Sequence, residues 1–304
     1  MTRAVVVTRD AYRTEEMKRI GLTARKNSVE LIVVDPTRTS LDVSSGRPLD
    51  RRGRPIDFDV ALGRVDADCL EAGSLYLQLI EGIRPVINGA KTFRTGRDKR
   101  AMSRALARAQ IPHPRVWSLT PHDAFRLAHQ LPYPLVVKPA RGSLGRGVAL
   151  IKEPRGLARL AKEAQDPLYL QEYRPVREEL RLLVLDGRVL GAIRRLPRSG
   201  EWRANLALGG MAESVTVQEP WSELAVKAAA AVAADFAGID LALTDEGPVV
   251  LEVNVCPGFL GFSRATGIDV AQHLVHALHR RNREGGRDHE GARAHPRQIA
   301  SPGN

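Results

Sequence analysis

"IDLALTDEGPVVLEVN", Ile239–Asn254, is the stretch on which the fold turns. Two alternating runs flank Asp245, Glu246 and Gly247, the composition of a hairpin turn. Pairing the strands about Glu246 sets Asp240 opposite Glu252. Side chains alternate faces along a strand, so Glu252 and Asn254 share one face and Asp240 joins them across the ladder. Ile239, Leu241 and Leu243 point the other way, with Val249, Leu251 and Val253. One surface is apolar; the other carries two carboxylates and an amide. Like charges opposed across a ladder destabilise it unless something neutralises them. Hard oxygen donors converging in this way suit Mg2+ or Mn2+, with nucleotide phosphates completing the octahedra. An edge hairpin with a solvated polar face shows the same alternation, so this segment alone leaves both readings open.

About a hundred residues earlier lies "LVVKPARGSLGRGVAL", Leu135–Leu150. It reads as strand, glycine loop, strand, whereas a phosphate-cradling loop usually runs into a helix. Gly142, Gly145 and Gly147 let the backbone approach a ligand and adopt positive φ, and their N–H groups can form an anion nest. The Walker pattern is absent; Lys138 stands before the loop at a strand end, where its ammonium can meet a phosphate. A flexible turn with an exposed lysine is the plainer alternative. Together, a basic glycine hairpin and a carboxylate hairpin can sandwich a nucleotide. Between them, "LQEY" (Leu170–Tyr173) can offer backbone groups to an adenine edge, and "EWRANL" sets Arg203 and Asn205 on one face if extended.

Working outward, "AVVVT" (Ala4–Thr8) and "VELIVVD" (Val29–Asp35) bracket a charged helical segment, a parallel βαβ unit. Ser44–Pro55 is turn-rich, Asp59–Val65 reads as a third strand, Cys69–Ile83 as a helix and Pro85–Gly89 as the close of a small α/β domain. No GxGxxG follows the first strand, so nothing points to NAD. Arg94–Ile111 is strongly helical, with Thr95 or Asp98 near its start. "TPHDAFRLAHQL" is a helix with a Thr-x-x-Asp opening, "EPRGLARLAKEA" another, and "LYLQEY" a strand. "ELRLLVLDGRVLGAIRRL" is a hairpin about Asp186-Gly187. "SELAVKAAAAVAADFAG" reads as a helix ending at Gly238, and "DVAQHLVHALHRRN" as a last amphipathic helix. The expected units are 1–90, a small α/β domain; 91–175, with the glycine hairpin; 176–283, with the carboxylate hairpin; and 284–304, a Gly/Pro/charge-rich disordered tail.

The 304 residues are 43% hydrophobic, enough for a sizeable core, and no 18-residue apolar run suggests a membrane span. "MTRAVVVTRD" is charged too soon for a signal peptide and reads as a buried strand. Cys69 and Cys256 make no disulfide framework, so the expected setting is a reducing cytoplasm. The net charge of +11 suits an anionic partner, but only eight of the 46 basic residues are lysine, no basic block occurs and aromatics are 5%. Nucleic acid is therefore disfavoured as the primary ligand. Homo-oligomerisation is left open.

These pieces resemble the ATP-grasp superfamily, and within it the RimK-type α-L-glutamate ligases. The resemblance rests on "RDKRAMSRALARAQIPHP", "VVKPARGSLGRGVAL", "QEY", "ELRLLVLDGRVLGAIRR", "EWRANLALGG", "AGIDLALTDEGPVVLEVNVCPGF" and "TGIDVAQHLV", in the family's order from about Arg94 to Arg280. It implies α/β and α+β units, with ATP between two α+β subdomains behind a pre-ATP-grasp domain. It implies ATP contacts from Lys99, Lys138, Gly142, Ser143, Gly145 and Gly147, an adenine-side crossover at Gln171, Glu172 and Tyr173, and a nucleotide contact at Glu179. Arg203 and Asn205 match the family's Arg-x-Asn near the phosphates, and Arg181 is implied as a phosphate or acyl-phosphate contact. Asp240, Glu252 and Asn254 match the metal ligands, Glu252 bridging two Mg2+ or Mn2+ ions. The implied reaction phosphorylates an acceptor carboxylate from ATP, then lets an amine displace phosphate to form an amide. The implied partners are ATP, an amino acid such as glutamate and a protein, peptide or small-molecule carboxylate acceptor. A non-catalytic ATP-binding regulator on the same fold is the alternative, opposed by the intact Asp240/Glu252/Asn254 set. The stretch "NVCPGF" departs from the family's "N-A-S-P-G"; Cys256 reads as a small packing residue rather than a nucleophile.

Overall fold

The computed structural model describes residues 1–9, 13–140, 147–196 and 211–293. The chain opens with β1 (Thr2–Val7), α1 (Glu15–Lys26) and β2 (Val29–Val34). α1 begins where Thr14 accepts from the Met17 amide, with Glu15 and Glu16 in its first turn and Arg25 and Lys26 in its last. A short hairpin follows, β3 (Leu41–Asp42) with β4 (Arg47–Pro48), then β5 (Val60–Gly63), α2 (Leu70–Glu81) and β6 (Val86–Ile87). The parallel sheet runs β2-β1-β5-β6. Val5 and Val7 pack towards α2, whereas Ala4 and Val6 pack towards α1. Helices thus cover both faces, as a buried parallel sheet requires.

The expected single helix over Arg94–Ile111 is two, α3 (Ala90–Gly96) and α4 (Lys99–Arg108). Asp98 divides them by taking extended backbone and accepting from the Arg100 amide as the N-cap of α4. The middle sheet follows: β7 (Val116–Leu119), α5 (Pro121–Arg126), β8 (Leu135–Lys138), β9 (Ala149–Ile151), α6 (Pro154–Glu163) and β10 (Leu168–Glu172). Its order is β7-β10-β8-β9, antiparallel throughout. Leu135, Val137, Leu157 and Leu170 belong to a core of its own. α4 does not join that core; Met102 and Leu106 pack with residues of the first and last sheets.

The last sheet is β13-β12-β11-β14-β15, from β11 (Glu178–Leu185), β12 (Arg188–Leu196), β13 (Met211–Val215), α7 (Glu219–Ala231), β14 (Phe236–Thr244) and β15 (Gly247–Asn254). α8 (Leu260–Thr266) and α9 (Val270–Arg293) close the described chain. The helix expected to end at Gly238 ends at Ala231, and Gly238 lies inside β14. The apolar run "AAAAVAADFAG" serves helix and strand alike; Ala233, at φ 55°, breaks it. A Cβ at Gly238 would come within 3.4 Å of the Arg181 Nε, so the glycine admits that guanidinium. The final helix continues past residue 284, the expected start of a tail, to Arg293.

Candidate active site

The hairpins read about Glu246 and about Asp186-Gly187 both form, and each carries a register shift. The β14–β15 turn holds only Asp245 and Glu246, since Thr244 pairs with Gly247. Strict alternation from that turn would put Leu251 opposite Asp240. A one-residue shift between Asp240 and Leu241 restores Asp240↔Glu252, with Gly238↔Asn254 beyond it. The expected apolar partners change accordingly: Leu241 faces Val250, which is fully buried, in place of Leu251, and Leu243 faces Pro248 in place of Val249.

The polar face is an ion-pair lattice. Arg181 grips Asp240 with two parallel hydrogen bonds, Nε to Oδ1 at 2.7 Å and a terminal nitrogen to Oδ2 at 2.8 Å. Arg195 reaches Asp240 Oδ2 at 3.1 Å and Glu179 Oε1 at 2.8 Å. Burial pushes the Asp240 carboxyl up, but the two guanidiniums prevail and hold it below the ordinary range. For Glu179 burial and the neighbouring Asp240 charge prevail, and its carboxyl is raised. Arg195 is the residue that the sequence reading missed.

Two lysines meet this lattice from the other side. Lys99 opens α4 and sets its Nζ 3.0 Å from Glu252 Oε1, while its amide donates to the Ala140 carbonyl just past β8. Lys138 ends β8. Burial pushes its ammonium below the ordinary lysine range, opposed chiefly by the Glu252 charge and in lesser degree by Glu179 and Asp240. The glycine hairpin's lysine thus shares a field with all three carboxylates. α4 is tied to β10 by the buried Ser103–Tyr169 hydroxyl pair at 2.8 Å, and burial raises the Tyr169 phenol to about 12.

Other expected residues fall as follows. Gly147 has φ +69°, the left-handed region. Gln171 is buried in β10; the amides of Glu172 and Tyr173 are taken by the Arg115 and Pro134 carbonyls. A base at that edge is left their carbonyls and side chains to bond. Gly142, Ser143, Gly145, Arg203 and Asn205 lie outside the described residues. Cys256 is partly buried against the core, and its amide donates to Asn254 Oδ1 at 3.0 Å.

Among the described residues, no three His, Cys, Asp or Glu side chains gather to hold a metal alone. The oxygen donors nevertheless fit a hard cation that keeps phosphate and water ligands. Glu252 is 37% exposed at its side chain, and among the described residues only its Oε1 is bonded, to Lys99. Asp240 has both oxygens engaged by guanidiniums and would have to yield one to a metal.

A model of the RimK-like ATP-grasp domain matches residues 96–278. The chain belongs to the RimK-like ATP-grasp family. A "Probable alpha-L-glutamate ligase" of Thioalkalivibrio sulfidiphilus is 33% identical over 284 residues, 89% of this chain and 93% of the relative. One of Pectobacterium carotovorum is 35% identical over 266 residues, 83% and 86% of the two chains. In fold, the chain is similar to the ATP-grasp ligase PsnB complexed with minimal precursor, Mg, and ADP, with a TM-score of 0.70, 20% identity and coverage of 92% of this chain and 98% of that one. Membership assigns this ATP-grasp protein to the ADP-forming ligases that join a carboxylate to an amine. No helix among its described residues is long and apolar enough to cross a membrane.

Proposed function

We propose that this ATP-grasp ligase adds glutamate or another amino acid to the carboxylate of a protein, peptide or small-molecule acceptor. The observation that supports this reading is the meeting of Lys99 and Lys138 with the Asp240/Glu252 hairpin. Cations converge there from two elements, next to oxygen donors that need a counter-charge. Lys138, Lys99 and Arg181 would hold phosphate oxygens, and Glu179 would meet the nucleotide once released from Arg195. An acceptor carboxylate oxygen attacks the γ-phosphorus, ADP leaves, and an acyl phosphate forms. The amine then attacks the acyl carbon, phosphate leaves, and the amine's surplus proton is lost as the amide forms. Asp240, Glu252 and Asn254 would hold Mg2+ or Mn2+, which when bound would offset charge on the phosphate oxygens. The chain's own part is to orient the reactants and keep the transferred group among fixed positive charges.

The test is ADP release across amino acids and acceptor extracts, with the amide product identified by mass. ADP together with an amide supports the reading; AMP and pyrophosphate, or ATP binding without turnover over a broad screen, would sink it. Glu252→Ala should lower turnover by roughly a thousandfold while leaving the fold intact. Near-normal turnover in that variant would remove the metal assignment.

A further inference from the structure

Arg64 follows β5 directly and is 7% exposed, yet among the described residues nothing neutralises it. Its Nη1 is sealed from solvent without a hydrogen-bond partner, and among the described residues no carboxylate lies within ion-pair distance of the guanidinium. Among the described residues the other deeply buried arginine, Arg195, is clasped by Glu179 and Asp240. Taking a guanidinium out of water with no counter-charge is among the most costly arrangements in a protein. A buried polar group left unpaired in this way calls for an explanation, and its place in the fold suggests one.

In the β2-β1-β5-β6 sheet the chain leaves β1 towards β2 through α1 on one face, while β5 lies on the other side of β1 and leads to α2 on the opposite face. The gap between the carboxyl ends of β1 and β5 is therefore the topological switch point, where open α/β sheets bind ligands. Arg64 stands at that gap, its amide donating to the Val7 carbonyl at 3.0 Å, beside the buried Thr8. This edge abuts the segment that follows Asn254. Asn88, just beyond β6, donates to the Val255 carbonyl at 3.0 Å; a Cβ at Gly96 would overlap the Val255 side chain; one at Gly258 would lie 3.2 Å from Glu16 Oε1. A ligand held at Arg64 thus sits on the side of the first sheet that faces the carboxylate hairpin.

We propose that Arg64 holds the free carboxylate of the amino acid that serves as amine substrate. With Nη1 sealed, a carboxylate would pair bidentately with the Nε and Nη2 edge of the planar guanidinium, leaving the amino end of the ligand clear to react. The inference rests on the ligase reading above, but its test does not need turnover. The full chain is melted with each amino acid at millimolar concentration, with the matching amino-acid amides, and with inorganic phosphate. The wild type should be stabilised by at least one amino acid and not by its amide. Arg64→Met should melt no lower than the wild type without ligand, because it removes an unpaired buried charge, and should lose the amino-acid shift; Arg64→Lys should keep part of it. In the ADP-release assay the KM for that amino acid should rise roughly thirtyfold in Arg64→Met, with the KM for ATP changed less than about twofold. An equal response to acid and amide, a shift given by phosphate alone, or an Arg64→Met variant that keeps the amino-acid shift would overturn the assignment. Absence of amino-acid-dependent ADP release would overturn the ligase reading alone, since the melting shift is read without it.

Discussion

Arg195 carries more of the site than its position in a plain arginine pair suggests. Its terminal nitrogen stands between two carboxylates that would otherwise face each other in a buried setting. Arg195→Met should cost about 3 kcal/mol of stability, read from urea unfolding, because Glu179 and Asp240 lose their shared counter-charge. Arg195→Lys should recover only part of this, as one ammonium lacks the fork that spans both groups. Strict pairing about Asp186-Gly187 would have put Arg194 opposite Glu179. The observed ladder slips by one residue between Leu183 and Val184, so Arg195 takes that place and Arg194 turns to Glu178. Alternation carries no mark of such a slip, which is why this residue was not legible. Asp240 and Glu252 were legible because an assumed three-residue turn and a real bulge displace the register equally.

At the scale of elements, α4 shows how a helix start is held. Asp98 accepts from the Arg100 amide at 2.9 Å and pairs with the Arg100 side chain. Those bonds lower its carboxyl from 3.8 to about 2. A carboxyl depressed on folding adds stability above its unfolded value and loses it as pH falls through the folded one. Asp98→Ala should therefore cost about 1–2 kcal/mol near neutrality, and the gap from the wild type should close between about pH 4 and pH 2. The glycine hairpin makes a separate prediction. A Cβ at Gly147 would meet Pro139 Cγ at 3.0 Å, and its φ of +69° disfavours any side chain. Gly147→Ala should raise the KM for ATP several-fold at a cost of about 1 kcal/mol; an unchanged KM would show that the hairpin takes no part in nucleotide binding. Helix and strand periods exposed most of these elements in the sequence. They failed at "AAAAVAADFAG", where small apolar residues satisfy both periods and tertiary packing decides.

Across the whole molecule, one side chain ties the first sheet to the last by four hydrogen bonds. Buried Asn88, at φ 56°, donates to the carbonyls of Phe236 (2.6 Å) and Val255 (3.0 Å) and accepts from the amides of Asp235 and Phe236, each at 2.9 Å. Asn88→Ala would strand four backbone groups and put alanine, which tolerates the left-handed region less well than asparagine, at φ 56°. A loss of about 3–5 kcal/mol is expected, seen as a lower urea midpoint. α9 adds to the union, with Gln272 and His279 bonded to Asn27 and Arg19 to Asp269. None of this was legible, because "PVING" reads only as the end of a strand and long-range hydrogen bonds leave no local pattern.

The middle sheet has no share in that union. Its apolar centre is private, and its first and last strands are clasped where they begin and end: the Glu172 amide bonds the Arg115 carbonyl at 2.8 Å, and the Glu172 carboxylate takes the Arg115 amide at 3.3 Å. A segment whose two ends already touch behaves as a cassette. It can be lifted out and exchanged with the corresponding piece of a related ligase without stretching what remains. On the proposed function, nucleotide preference, to the extent that Lys138 sets it, can then change while the first and last sheets stay as they were.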